Sequence, residues 1–548
     1  MEHLPPTERL STHEVENQPE FPDDIDLWCD DPALSRHAAA AGADTARLAA
    51  FGLEAGRAAW REAARNANRC PPELHLFDRG GRRLDEVRFH PDYHRLMALG
   101  IGHGYAALPW TPEGAEGGHA THAGLVWMMT RLEPGVCCPM TMSYAAVPAL
   151  GAADAETADL WRARLVSASY DPRVLPVADK SGATMGMAMT EKQGGSDVRR
   201  NTTRAERDGT AWRLTGHKWF CSAPMSDGFL TLAQTDGGLT CFLVPRWLPD
   251  GTRNAIRLLR LKDKLGDRAN ASAEIEYERA FALQLGDTGA GVRTIIRMVH
   301  HTRLDTAIAP AAIMSAALGE AVIWASGRYA FQRRLIDQPL MARVLAEIAL
   351  EVEGAAALGF GVARAFDGSD EADRAMARIG VALAKYLNNR RCTAVVHEAM
   401  EVMGGMGYVE DTPMPLLFRQ APLNGIWEGA GNVICLDILR TLSREPAAMD
   451  ALSDIFAETA GASARLDRAV AEFRATWPRL PAEIDARLFA ERLASILAAA
   501  FLVRAGQAEI ADAYVRTRLP ADRGLSIGTA TGVDPHPILK ALVPAAAF

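Results

Sequence analysis

The spacing of apolar positions changes character twice along the chain. Residues 1 to about 35 are polar and acidic and predict a loose arm. From 38 to about 183, alanine-rich segments such as 46–64 carry apolar residues at helical spacing, broken at Pro71-Pro72, Gly80-Gly81 and 112–118. Near Met185 the period shortens to that of strands. The runs 212–220, 229–234, 240–244 and 273–277 are short, β-branched or aromatic, and separated by Gly, Asp and Asn turns. They predict a small antiparallel β unit ending near Gly291.

Helical spacing then returns. The segments 292–328, 340–366 and 374–403 are each long enough to cross a bundle, at roughly 1.5 Å per residue. A Gly/Pro-rich loop, 404–431, precedes 433–442, and further helices are predicted at 450–477, 481–505 and 507–519. The expected fold is mainly α with a small β domain, divided as 1–185, 186–291, 292–442 and 443–548.

Composition adds bounds. A chain of 548 residues, 48% hydrophobic and 23% charged, can bury a large core without disulfide staples. The net charge of -9 argues against a protein coated in positive charge and leaves a local basic face open. The 8 cysteines form no CxxC pair, so they predict buried free thiols in a reducing compartment rather than a zinc or disulfide framework. The N-terminus shows no basic segment followed by an apolar one, and charges interrupt the apolar stretches too often for a membrane span. These features suggest a cytoplasmic protein.

Three constellations could carry chemistry. Met189-Thr-Glu-Lys-Gln-Gly-Gly-Ser-Asp197 lies at the change from helix to strand, where its glycines and hydroxyls offer donors to a flat polar ring. Alone, it reads first as a Gly-Gly turn capped by Ser and Asp. Gly216-His-Lys-Trp-Phe-Cys-Ser222 puts two aromatics in a strand, and aromatics in strands are usually core. Met403-Gly-Gly-Met-Gly-Tyr408, then Arg419 and Trp427-Glu-Gly-Ala-Gly-Asn432, joins a weak GGxG turn signal to a glutamate. His90 and His94 have metal-ligand spacing, but Pro91 separates them and no carboxylate-rich partner is evident, so no metal is expected.

In that order and spacing, the three constellations resemble the acyl-CoA dehydrogenase family. The resemblance implies that fold: an N-terminal helical domain, an antiparallel β-barrel and a helical bundle. It implies FAD as cofactor, with Met189, Thr190, Gly195 and Ser196 at the flavin, Phe220 against its ring, Trp219 beside it and Ser222 near the redox edge. Gly404 and Gly405 would meet the ADP half of a neighbouring subunit's FAD, with Trp427, Gly429 and Asn432 also near the cofactor. Glu428 would be the base that takes a proton α to an acyl-CoA thioester, and a homotetramer is implied. Lys264-Leu-Gly-Asp-Arg-Ala-Asn270 resembles a further family run, with Asn270 in place of a hydroxyl residue.

Segments including Gly81-Arg-Arg-Leu-Asp-Glu-Val-Arg-Phe-His-Pro91, Cys138-Pro-Met-Thr-Met142 and Asn201-Thr-Thr-Arg-Ala-Glu206 resemble the AidB branch of that family. This implies weak dehydrogenase activity, double-stranded DNA binding through the C-terminal extension, and a part in the response to DNA alkylation. The alternative is a working short- or branched-chain acyl-CoA dehydrogenase of the isovaleryl-CoA type. From Thr441 to Phe548 the chain has 12 basic and 13 acidic residues, so overall charge does not argue for DNA. The cations are nearly all Arg, whose donor fork suits phosphate. Arg440, Arg516 and Arg518 are the candidate DNA contacts. Arg440 could instead pair with Asp437, about one turn earlier. One departure stands out: in Arg328-Tyr-Ala-Phe-Gln-Arg-Arg-Leu335, Gln332 replaces a family glycine. Arg328 and Phe331 would reach a neighbour's FAD, and Gln332 puts the path of their turn in question.

Overall fold

The computed structural model describes residues 6–520 and 534–542; Arg523 and the rest of the extension's end lie outside them. Gly291–Gly327, Pro339–Asp367 and Glu371–Val402 are the long helices of the bundle, close to the predicted spans. Gly118–Leu132 and Pro134–Leu150 pack against the first of these, so the N-terminal helices and the bundle share one apolar core. Contrary to expectation, one stretch of Gly291–Gly327 is long and apolar enough to cross a membrane, with mean hydropathy 1.6. Of that stretch, 72% is buried among the other helices, which accounts for its composition.

The β unit is larger than predicted. Seven strands form one sheet, and five of them close on themselves: Gly228–Thr235, Arg204–Asp208, Ala211–Ser222, Ser272–Leu285 and Gly238–Pro245, which returns to the first. The barrel is not wholly antiparallel. Met185–Ala188 runs parallel to Gly228–Thr235, and Arg204 pairs in parallel with Gln234. Three strands, Met185–Ala188, Arg204–Asp208 and Ile256–Leu261, escaped the sequence reading. Arg204–Asp208 shows the reason: four of its five residues are exposed, so it lacks apolar alternation. A hairpin, Glu73–Phe77 with Arg83–Arg88, was also missed; Leu74, Leu76 and Val87 lie against the barrel core.

Past the bundle, the single helix expected at 450–477 is two, Pro446–Glu458 and Ala464–Thr476. Gly461 separates them with φ +84°, and Ser463 caps the second by accepting from the Leu466 amide at 3.4 Å. Within the loop expected at 404–431, Met414–Gln420 is helical.

The extension docks on Pro339–Asp367 through shape and charge. A Cβ on Gly354 would lie 2.3 Å from the Tyr514 ring, and one on Gly361 would lie 2.5 Å from the Phe501 ring. Glycine is what lets these aromatics approach the helix. Beside them Arg518 is buried, donating to Glu347 at 2.9 Å with its Nε 2.9 Å from Glu351. The expectation that Arg518 contacts DNA is therefore corrected: its guanidinium is spent on two buried carboxylates.

The turn containing Gln332 takes the path a glycine would take. Tyr329–Ala330 pairs with Arg333–Arg334, leaving Phe331 and Gln332 as a two-residue loop with φ +53° and +67°. Two positive φ values match the twist of a tight hairpin. Each costs a non-glycine residue roughly 1–2 kcal/mol.

Gln332→Gly should accordingly raise stability, by about 0.5–1 kcal/mol once the greater freedom of unfolded glycine is subtracted. Thermal melting that shows a loss instead would refute the strained-turn account. Arg518→Ala removes a buried guanidinium from beside Glu347 and Glu351 and should cost about 3–5 kcal/mol in urea unfolding. A loss below roughly 1 kcal/mol, the worth of a surface pair, would mean the site is wetter than it looks.

Candidate active site

The barrel motif is built around a buried ion pair. After Met185–Ala188 the chain turns through Met189–Asp197, and Glu191 points inward. Its carboxylate accepts from Lys218 Nζ at 2.8 Å, the Thr202 amide at 2.7 Å and the Thr202 hydroxyl at 3.1 Å. Both side chains of the pair are fully buried. Burial pushes the Glu191 carboxyl up, but Lys218 and the amide bonds outweigh it and hold it at about 2. Burial drives the Lys218 ammonium down, with Glu191 opposing. An unpaired charge here would be costly, so the pair fixes the loop against the strand. The Trp219 amide then donates to the Thr190 carbonyl at 2.8 Å, and Asn201 donates to the Met189 carbonyl at 2.8 Å. Glu191 and Lys218 stood inside the quoted motifs without an assigned role; the structure makes them the anchor.

This anchor sets out the expected flavin groups. Thr190 is half-buried, Ser196 is exposed, and a Cβ on Gly195 would come 3.2 Å from the Thr190 side chain. Phe220 is 47% exposed, unusual for an aromatic in a barrel strand, and Trp219 is half-buried. Lys262 Nζ lies 3.5 Å from the Trp219 ring centre and 4.7 Å from that of Phe220. The Ser222 hydroxyl meets Ser272 Oγ at 3.1 Å. Lys264 donates to Ser272, to the Asn270 carbonyl and to Asp267, closing the loop in which Asn270 replaces the hydroxyl residue. Exposed aromatics beside hydroxyls and a glycine-thinned loop suit a flat ring with polar edges.

Glu428 lies on the facing wall. It has φ +56° and Gly429 has φ +105°, so the backbone turns sharply just before the helix Gly431–Arg444. A non-glycine residue in that conformation costs roughly 1–2 kcal/mol and persists only where its surroundings impose it. Here Lys385 imposes it: its Nζ donates to the carbonyls of Asn424 at 2.7 Å, Trp427 at 2.8 Å and Gly429 at 3.1 Å. Arg303 Nε donates to the Glu428 carbonyl at 3.3 Å while its Nη1 holds Asp437 at 2.7 Å. Burial raises the Glu428 carboxyl, with Thr302, Lys385 and Arg303 opposing. Its Oε2 is shielded from solvent and has no hydrogen-bond partner. Trp427 donates through Nε1 to Asn424 at 2.7 Å and packs on the same apolar cluster as Met189. Cys138 lies close to both Ser222 and Glu428 and so links the barrel motif to the glutamate loop, although 239 residues separate Met189 from Glu428.

Other expected residues lie elsewhere in the single chain. Phe331 is 94% exposed, and Arg328 donates to the Asn17 carbonyl at 2.7 Å. Gly404 has φ +59°, and neither it nor Gly405 would crowd an added Cβ. Asn432 is exposed at the start of its helix and accepts from Arg487 of the extension at 3.4 Å. Among the described residues these groups make no hydrogen bond to the Thr190–Trp219 or Glu428 groups. Arg440 is exposed. Its suggested partner Asp437 is taken by Arg303 and by Arg378 at 2.9 Å, so the surface-pair reading of Arg440 fails. Arg516 is held at 2.9 Å by Asp512. His94 meets the Tyr170 hydroxyl at 2.8 Å, and His90 accepts from the Asp92 amide at 3.2 Å. His397, Glu398 and Glu401 form one cluster of metal-ligating type, on a solvated helix face.

Sequence reading passed over Lys385 and Arg303, and gave Asp437 only as a partner for Arg440. The signal was present: a lone lysine in Val381-Ala-Leu-Ala-Lys-Tyr-Leu387, an apolar helical run, must find a partner inside the fold.

Comparison with known proteins agrees with this geometry. Residues 17–172 match the N-terminal domain of adaptive response protein AidB, 186–280 the acyl-CoA dehydrogenase middle domain, and 289–443 the acyl-CoA dehydrogenase C-terminal domain. The chain is 43% identical over 521 residues to the putative acyl-CoA dehydrogenase AidB of Escherichia coli K12, covering 94% of this chain and 96% of that one. Among solved structures, Caenorhabditis elegans ACDH-11 in complex with C11-CoA superposes with TM-score 0.83 at 24% identity, over 98% of this chain and 96% of that chain. A Bacillus anthracis acyl-CoA dehydrogenase complexed with FAD gives 0.61 at 18% identity, over 76% of each. With a half-buried glutamate whose Oε2 is shielded from solvent and three family domains in sequence, the chain belongs to the acyl-CoA dehydrogenase family, in its AidB branch.

Proposed function

We propose that this chain oxidises an acyl-CoA thioester with Glu428 as base, and that it also binds double-stranded DNA. FAD is the cofactor of the family, and Met189, Thr190, Gly195, Ser196, Trp219, Phe220 and Ser222 are the residues of this chain that would hold its ring. When bound, FAD supplies the two-electron acceptor that no side chain can provide. The residues supply position and proton transfer. The observation that carries the reading is Glu428 Oε2: shielded from solvent and unpartnered, with Cys138 close to both Glu428 and Ser222 of the flavin motif. Burial makes this carboxylate a stronger base than one in water, suited to a proton α to a thioester. Trp427, next to Glu428 in the chain and packed on an apolar cluster, keeps that surface apolar.

Arg440 supports the DNA reading. It is exposed on the helix that follows Glu428, and its nearest carboxylate along that helix, Asp437, is neutralised by other arginines. Arg444, Arg468, Arg474 and Arg479 are also exposed nearby in sequence, so a phosphate backbone would meet several forks. A part in the response to DNA alkylation belongs to the same proposal, supported by similarity to a protein named for an adaptive response. The exposed Phe331, Tyr408 and Leu340 suit burial against further copies, as in a homotetramer. Six buried free thiols and a DNA partner fit the cytoplasm.

Glu428→Gln, which keeps the shape and removes the base, should slow bleaching of the flavin by isovaleryl-CoA roughly 10²–10⁴-fold while FAD stays bound. Native-rate bleaching would remove Glu428 from the role. Arg440→Ala should weaken duplex DNA binding and lower the slope of log K against log salt by about 1, with FAD content unchanged. Equal loss of FAD would make Arg440 structural, and no duplex binding by the unaltered protein at low salt would end the DNA reading.

A further inference from the structure

The charged groups buried beside Glu428 do more than satisfy one another. Lys385 is 2% exposed, and its ammonium reaches three backbone carbonyls of the Glu428 loop: Asn424, Trp427 and Gly429. Those carbonyls bracket Glu428 on both sides. The loop's residue of interest sits at φ +56°, a conformation that an unconstrained glutamate leaves readily for the extended or right-handed region. An ammonium has three donors, and all three are used here on one loop. No shorter or singly donating side chain at 385 could make the same clamp.

We propose that Lys385 is the positioning residue of the Glu428 base: its ammonium, bonded to carbonyls on both sides of residue 428, fixes the left-handed turn that aims the carboxylate. The proposal rests on the reading of Glu428 as the base and adds a residue that touches neither substrate nor cofactor. Other groups share the surroundings. Thr302 and Arg303, from the helix Gly291–Gly327, face Glu428, and Arg390, from the same helix as Lys385, adds a like charge. Asp437 and Arg378 lie behind Arg303 and compensate each other. Lys385 differs from all of these in holding backbone on both sides of the base.

The chemistry has a consequence for protonation. Burial pushes the Lys385 ammonium down to about 7, with Glu428 opposing that fall, and burial pushes the Glu428 carboxyl up, with Lys385 opposing that rise. Each group favours the charged form of the other. Removing the lysine charge must therefore raise the carboxyl's midpoint, and removing the carboxylate must lower the lysine's midpoint by an equal amount.

The test is made on the full-length, FAD-loaded protein without any acyl-CoA. The carbonyl stretch of protonated Glu428, assigned as the infrared band absent from Glu428→Gln, is followed against pH. In Lys385→Met the midpoint should move up by one pH unit or more, and in Lys385→Arg, which keeps a charged donor, it should return toward the native value. A Lys385→Met midpoint equal to the native one, in a protein that still binds FAD and melts cooperatively, overturns the proposal. Should Lys385→Met fail to fold, the reciprocal measurement needs no change at the lysine. In protein carrying ¹³Cε-lysine, the Lys385 resonance of Glu428→Gln should titrate at lower pH than in the native chain, and an unchanged midpoint overturns the proposal. Neither arm uses turnover. A failure of Glu428 in flavin bleaching and a failure of Lys385 here are therefore separate results.

Discussion

A charge withdrawn from water must be met by a partner, and this fold uses that requirement to tie its irregular segments to its regular ones. Lys218 and Glu191 pin the barrel loop to a strand. Lys385 pins the glutamate loop to a bundle helix, and Arg303 pins the same loop to Asp437. Arg518 pins the extension to Glu347 and Glu351. In each case one partner lies on a long helix or strand whose geometry the core already fixes, so the loop inherits that rigidity. The net worth of such pairs is small when both members are present, because desolvation offsets attraction. Their value lies in the cost of every other arrangement.

That arrangement explains how two walls far apart in sequence meet. The barrel presents a loop thinned by glycine and an aromatic pair left partly exposed, and the bundle presents a carboxylate on a strained turn. Neither wall contains the chemistry alone. Trp427 and Met189 both pack on one apolar cluster, Cys138 lies close to both Ser222 and Glu428, and the buried charge pairs stop each wall from relaxing.

The extension follows the same logic with different consequences. It is docked by close aromatic contact on Gly354 and Gly361 and by Arg518, which removes that arginine from the surface. Arg440 is left exposed because Asp437 is committed inward. An arginine's neighbours, rather than its presence in a sequence, decide whether it can meet a phosphate.

The chain's sequence determined the long bundle helices to within a few residues, because sustained apolar periodicity over some thirty positions admits one reading. It determined the presence of a β unit and, through spaced motifs, the family. It missed the short strands such as Arg204–Asp208, whose exposed, charged residues leave no alternation to see. Gln332 shows the limit of local reasoning: the residue disfavours its turn, yet the paired backbone on either side forces φ to +67°. Lys385 shows another, since a lone lysine in an apolar helix announces a buried partner without saying which. Only the tertiary structure could place three carbonyls around it, separate Arg440 from Asp437 and spend Arg518 on Glu347. Those pairings join residues far apart along the chain, and their energies depend on burial, which sequence spacing does not encode.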